Sequence, residues 1–115
     1  MENAKSNLHG NITEAQVIAL DDLCAADRIS IQTKNSKYQF SVVDPSRRKG
    51  TLTGGFLGDQ VCEAILLGAI SEDETDFVSS GLKTGSRAIF ILGTNARVDR
   101  LITSVVKNIT HLWIC

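Results

Sequence analysis

At 115 residues the chain has room for one hydrophobic core and not for two. Twelve basic against thirteen acidic side chains leave a formal net charge of −1, without the cationic excess by which dedicated nucleic-acid binders hold phosphates. With 43% hydrophobic and 22% charged residues, the composition is that of a globular domain rather than a disordered chain.

No apolar run approaches the ~20 residues that a membrane-spanning helix needs, and no polybasic segment suggests a membrane anchor. Residues 1–12 are polar and lack the apolar block of a secretory signal, so they are expected to form a frayed tail. Without export, the triplets Asn11-Ile12-Thr13 and Asn108-Ile109-Thr110 are chance matches to a glycosylation acceptor. Cys24, Cys62 and Cys115 are widely spaced and odd in number, and they form no metal-ligand cluster with His9 or His111. Free thiols in a reducing cytoplasm are the expectation.

A single β domain is expected over 13–115. Thr13 to Leu23 is ambiguous. Thr13 and Gln16 have capping-box spacing, yet Val17-Ile18-Ala19-Leu20 also reads as a strand entering a turn at Asp21-Asp22-Leu23. We prefer the strand. Ile29, Ile31 and Thr33 alternate with polar residues, as do Tyr38, Phe40 and Val42, so a hairpin is expected over 28–43. Its turn falls at Lys34–Lys37, where Asn35 is expected to supply a positive φ.

Asp44-Pro45-Ser46-Arg47 reads as a turn, followed by a short strand over Gly50–Thr53. Gln60–Ile70 fits a helix capped by Asp59 or a strand buried on both faces. The neighbouring strands favour the second. The acidic run Glu72–Asp76 belongs in a solvated loop, and Leu82–Gly85 reads as a turn. Arg87–Leu92 is a central strand, and Gly93-Thr94-Asn95 turns the chain again. Two last β-rich runs cover Val98–Asn108 and Ile109–Ile114.

Seven or eight short strands with at most short helical turns imply an all-β fold, a small barrel or sandwich. The expected core is Ile29, Ile31, Phe40, Val42, Ile65, Ile89, Ile91, Leu101 and Val105.

Candidate chemistry is sparse. Gly54, Gly55 and Gly58 could offer backbone N–H groups to a phosphate, but Asp59 follows them where a phosphate loop carries a cation. Arg47, Arg48 and Lys49 form the one basic cluster, with Tyr38 and Phe40 nearby in sequence as base-stacking candidates. The acidic run lacks the spaced oxygens and the glycine of a calcium loop. His111, Trp113 and Cys115 would share one face of a strand, but His and Cys four residues apart lie roughly 13 Å apart, too far to bond. No carboxylate pair and no nucleophile elbow is evident.

The expectation is therefore a non-catalytic, cytoplasmic binding module with no cofactor and no metal. It would take a protein or small-molecule ligand through the loops 44–50, 54–60 and 71–85. Arg47, Arg48, Lys49, Gly54, Gly55 and Gly58 are the candidate ligand-binding residues. The alternative is a small barrel that binds nucleic acid weakly through the 47–49 turn.

Overall fold

The computed structural model describes residues 11–93 and 98–114. Ten strands carry almost all of the regular structure: β1 (Asn11–Ala15), β2 (Val17–Ala19), β3 (Arg28–Thr33), β4 (Lys37–Asp44), β5 (Lys49–Gly54), β6 (Cys62–Ile70), β7 (Phe77–Val78), β8 (Gly81–Lys83), β9 (Arg87–Gly93) and β10 (Val98–Trp113). Among the described residues, helix is confined to 3-10 turns of three residues at Leu20–Asp22, Pro45–Arg47 and Gly55–Leu57.

Six strands close a barrel. Antiparallel pairing runs β3–β4–β5–β6–β9–β10 and returns from β10 to β3. Closure depends on β10, which is 16 residues long. Its first half pairs β9 from Val98 to Val105, and its second half pairs β3 from Val106 to Leu112. Register shifts at 102/105 and 106/108 bend it between the two partners, as bulges do. Closure leaves those six strands no open sheet edge, which removes the usual route to edge-to-edge aggregation.

The bend is fastened by polar groups. Thr103 Oγ1 accepts the Ala88 N–H at 3.0 Å. Ser104 Oγ donates to Thr33 Oγ1 and accepts the Asn35 N–H. The Lys34 N–H donates to the Val105 carbonyl.

β1 adds to β10 outside the barrel circuit, with Ala15 opposite Ile109 and Thr13 opposite His111. The strand begins at Asn11, two residues before the expected start of the domain at Thr13. β2 leaves this sheet and pairs with β8, laying Ile18 and Leu82 onto the core. Leu82 is fully buried, so the turn expected over Leu82–Gly85 starts only after Lys83.

Phe40 and Phe90 meet at the centre, their ring centroids 5.6 Å apart and tilted by 54°. Ile29, Ile31, Leu52 and Leu66 are fully buried around them. Two expected core residues are not there. Ile65 and Ile91 are half-buried and face each other across β6 and β9 on the outer surface. Ala64, Leu66, Ala88, Phe90 and Leu92 take the inner face instead. A run apolar on both faces carries no phase, so its sequence left the inner residues undetermined.

The hairpin turn also differs from expectation. Asn35 takes no positive φ. The Thr33 side chain closes the loop, its Oγ1 donating to the Ser36 carbonyl and accepting the Ser36 N–H, each at 3.0 Å. No described helix is long and apolar enough to cross a membrane.

Candidate functional site

The residues singled out in the sequence do not converge. Arg47, Arg48 and Lys49 lie at the start of β5, and Gly54, Gly55 and Gly58 at its end or beyond. Five residues of extended strand separate Lys49 from Gly54, roughly 17 Å. The three cations are also already paired. Arg47 approaches Asp44 at 3.7 Å and Lys49 approaches Glu63 at 4.0 Å. Arg48 is the most enclosed of them, its Nη2 donating to Asp21 Oδ1 at 2.9 Å and its Nη1 to the Ser79 carbonyl. Ser46 donates to Asp44 at 2.7 Å, and this bond, with the N–H and charge of Arg47, holds the Asp44 carboxyl below its ordinary range. Tyr38 and Phe40 are buried, so neither offers a face for base stacking.

The glycines are positions of close approach. A Cβ on Gly54 would lie 2.3 Å from the Lys37 carbonyl oxygen, and one on Gly55 would lie 2.1 Å from the Tyr38 ring. The Gly54 N–H donates to the Gly58 carbonyl and the Gly58 N–H to the Gly55 carbonyl. Those two donors serve the turn and are not aimed at an anion.

The acidic loop is tied by hydrogen bonds of its own side chains, and Arg87 Nε donates to the Glu72 carbonyl at 2.9 Å. Ser71 Oγ and Thr75 Oγ1 both donate to Asp73 Oδ1, at 2.7 and 2.8 Å, and these bonds hold the Asp73 carboxyl below its ordinary value. Among the described residues, no cluster of His, Cys, Asp and Glu side chains could hold a metal ion.

The polar convergence of the molecule lies elsewhere, where β1 and β2 part company over the end of β10. Ile109, His111 and Trp113 share one face of β10, as a period of two requires. They pass from core to rim. Ile109 is 1% exposed, the His111 side chain 14% and Trp113 36%. Across them lies Asp27, at the end of the turn that starts at Cys24.

Asp27 is fully buried and its carboxylate accepts three hydrogen bonds. Oδ2 accepts the Cys24 N–H and bonds His111 Nε2, both at 3.0 Å, and Oδ1 accepts the Ile114 N–H at 2.7 Å. With both oxygens already accepting backbone N–H groups, His111 donates from Nε2. A buried carboxylate is tolerable only with such partners. On the far side, Trp113 Nε1 donates to Thr13 Oγ1 at 3.0 Å, which anchors the indole against β1.

These groups and Ala15, Val17, Ile18 and Ala19 line a cleft of about 340 Å³, with Asp22 and Cys24 also on its wall. A second hollow of about 320 Å³ adjoins β2 as well, sharing Val17 and Ala19 with the first and reaching Ala69 and Val78. Its carboxylate, Asp21, is already engaged by Arg48.

Cys24 is disulfide-bonded, contrary to the expectation of free thiols throughout, and with it goes the thiol argument for a reducing compartment. Cys62 is a free, half-buried thiol on β6. Cys115, expected to share the face of His111 and Trp113, lies outside the described residues.

His111 and Trp113 were visible in the sequence as one strand face. Asp27 was not, because an Asp that ends a turn before a strand looks like any solvated turn residue. Comparison with known protein families, characterised proteins and solved structures finds no match to this chain.

Proposed function

We propose that the protein is a non-catalytic binding module whose ligand site is the cleft between β1–β2 and the end of β10. The observation that carries this reading is the cleft itself, a concave and largely apolar surface with a few fixed polar groups. Its volume falls at the lower end of the range for small-molecule sites. A closed barrel beneath it supplies the rigidity that a preformed site requires.

Among the described lining residues no nucleophile is paired with a base, which supports binding over catalysis. Donation from His111 Nε2 to Asp27 leaves Nδ1 as the basic nitrogen, and among the described residues no hydrogen bond joins it to a hydroxyl or thiol. Cys24 is disulfide-bonded, and the Thr13 hydroxyl accepts the Trp113 N–H. The nucleic-acid alternative loses support from the burial of Tyr38 and Phe40 and from the internal pairing of Arg47, Arg48 and Lys49.

A fragment screen read by NMR shift mapping tests the reading, with oligonucleotides and common nucleotides among the probes. Shifts are expected at Thr13, Ala15, Val17, Ala19, His111 and Trp113. Saturable shifts from an oligonucleotide, centred on Arg47–Lys49, would overturn it in favour of the alternative.

A further inference from the structure

We infer that the cleft selects a small organic cation, an ammonium group carried on an apolar body. The inference rests on the cleft being a ligand site and adds the charge of its ligand. Three features of the lining point to it.

First, the lining has no Lys or Arg among its ten residues, whereas it holds two carboxylates, Asp22 and Asp27. Among the described lining residues, the one group that can oppose them is His111. With the imidazole neutral, the cleft carries two negative charges. With it protonated, two carboxylates still face one cation. An anionic ligand would therefore enter against the field, and a cation with it. Low-dielectric walls strengthen that preference, because they screen less than water.

Second, the two carboxylates divide the work. Asp27 is buried and already accepts three hydrogen bonds from the protein, so it is the less accessible of the two and contributes mainly charge. Asp22 is exposed at the cleft wall and has no ion-pair partner among the described residues. Asp21, beside it in sequence, is taken by Arg48. Asp22 is the carboxylate left to meet an incoming ammonium.

Third, the indole of Trp113 stands at the rim with its N–H fixed to Thr13. Indole is the strongest of the aromatic faces for a cation, and a fixed ring loses little freedom when one binds. Ala15, Val17, Ile18 and Ala19 then offer apolar contact to the body of the ligand. The volume, about 340 Å³, limits that body to a small ring or a short chain.

The chain contains a single tryptophan, so its fluorescence reports on this cleft alone. The experiment titrates the full chain with three probes of one shape: phenethylamine, 2-phenylethanol and 3-phenylpropionate. A saturable fluorescence change is expected for the amine, with at least fivefold weaker binding of the alcohol and none of the acid. Asp22→Asn should weaken the amine about two- to fivefold, the scale of one exposed charge, and leave the alcohol unchanged. Amine and alcohol binding alike, with no effect of Asp22→Asn, would overturn the cation inference and leave the ligand site standing. No response to any probe at 10 mM, with NMR shifts absent from the cleft as well, would overturn both.

Discussion

His111 Nε2 lies 3.0 Å from Asp27 Oδ2, although 84 residues separate them in the chain. This bond ties the end of the last barrel strand to the turn that precedes the first. Ile114 adds a backbone N–H to the other oxygen of the same carboxylate. One buried side chain thus holds the Cys24–Asp27 turn, the His111 ring and the end of β10 together.

Replacing Asp27 by Ala should be among the most damaging changes in the molecule. It leaves the N–H groups of Cys24 and Ile114, whose bonds are part-buried, without their acceptor and frees the imidazole. A loss of several kcal/mol is expected, at about 1–3 kcal/mol for each donor left without its acceptor. Asp27→Asn keeps an acceptor oxygen and should cost less. Urea melts of the two variants check the order, and equal midpoints for Asp27→Ala and the parent would show that the carboxylate is not holding these segments.

Phe90 and Ile91 adjoin in β9 and face opposite ways. Phe90 is fully buried against Phe40, whereas Ile91 is half-buried on the outer face. Phe90→Ala should cost ~3–5 kcal/mol through lost burial and an incompletely collapsed cavity. Ile91→Ala should fall below the ~2–5 kcal/mol of a buried Ile→Ala, because its side chain is already partly in water. A denaturant melt in which Ile91→Ala is the worse of the two would reverse the phase of this strand.

Asp73 provides a pH prediction with a definite sign. Hydrogen bonds from Ser71, then Thr75, lower its folded pKa from the ordinary 3.8. A depressed carboxyl stabilises the folded loop above its unfolded pKa, and that stabilisation is lost as pH falls through the folded value. The carboxyl is exposed, so the effect belongs to the loop and not to global stability. In an NMR titration the Asp73 carboxyl should protonate below pH 3.8. Ser71→Ala should move the midpoint upward, and an unchanged midpoint would show that the hydroxyl bond does not form in solution.

The basic turn is expected to act in folding rather than in polyanion binding. Arg48 joins the 3-10 turn at Leu20–Asp22 to the segment before β8, through Asp21 and Ser79. Arg48→Ala should therefore lower the thermal midpoint more than Arg47→Ala, whose exposed pair with Asp44 is worth little. Neither parent nor variants should bind oligonucleotides tightly at about 0.15 M salt, where exposed charges are screened beyond ~8 Å. Sub-micromolar binding abolished by replacing Arg47, Arg48 and Lys49 together would reinstate the nucleic-acid reading.

Local pattern by itself determined the all-β class and the hairpin of β3 and β4, whereas the strand character of Cys62–Ile70 followed from the strands around it and not from its own pattern. Alternating residues such as Ile29-Ser30-Ile31 and Tyr38-Gln39-Phe40 declare both conformation and buried face, because a strand has only two sides. The same logic placed His111 and Trp113 on one face. Only the tertiary structure decided the phase of β6 and β9, where both faces are apolar and the closing of the barrel selects Leu66 and Phe90 over Ile65 and Ile91. It alone joined Val98–Trp113 into one bent strand, since the bend depends on two partners, β9 and β3, that meet it from different parts of the chain. The cleft is tertiary as well. Asp27 and His111 carry no mutual spacing rule, and their meeting follows from where β3 and β10 pair, through Ile29 opposite His111.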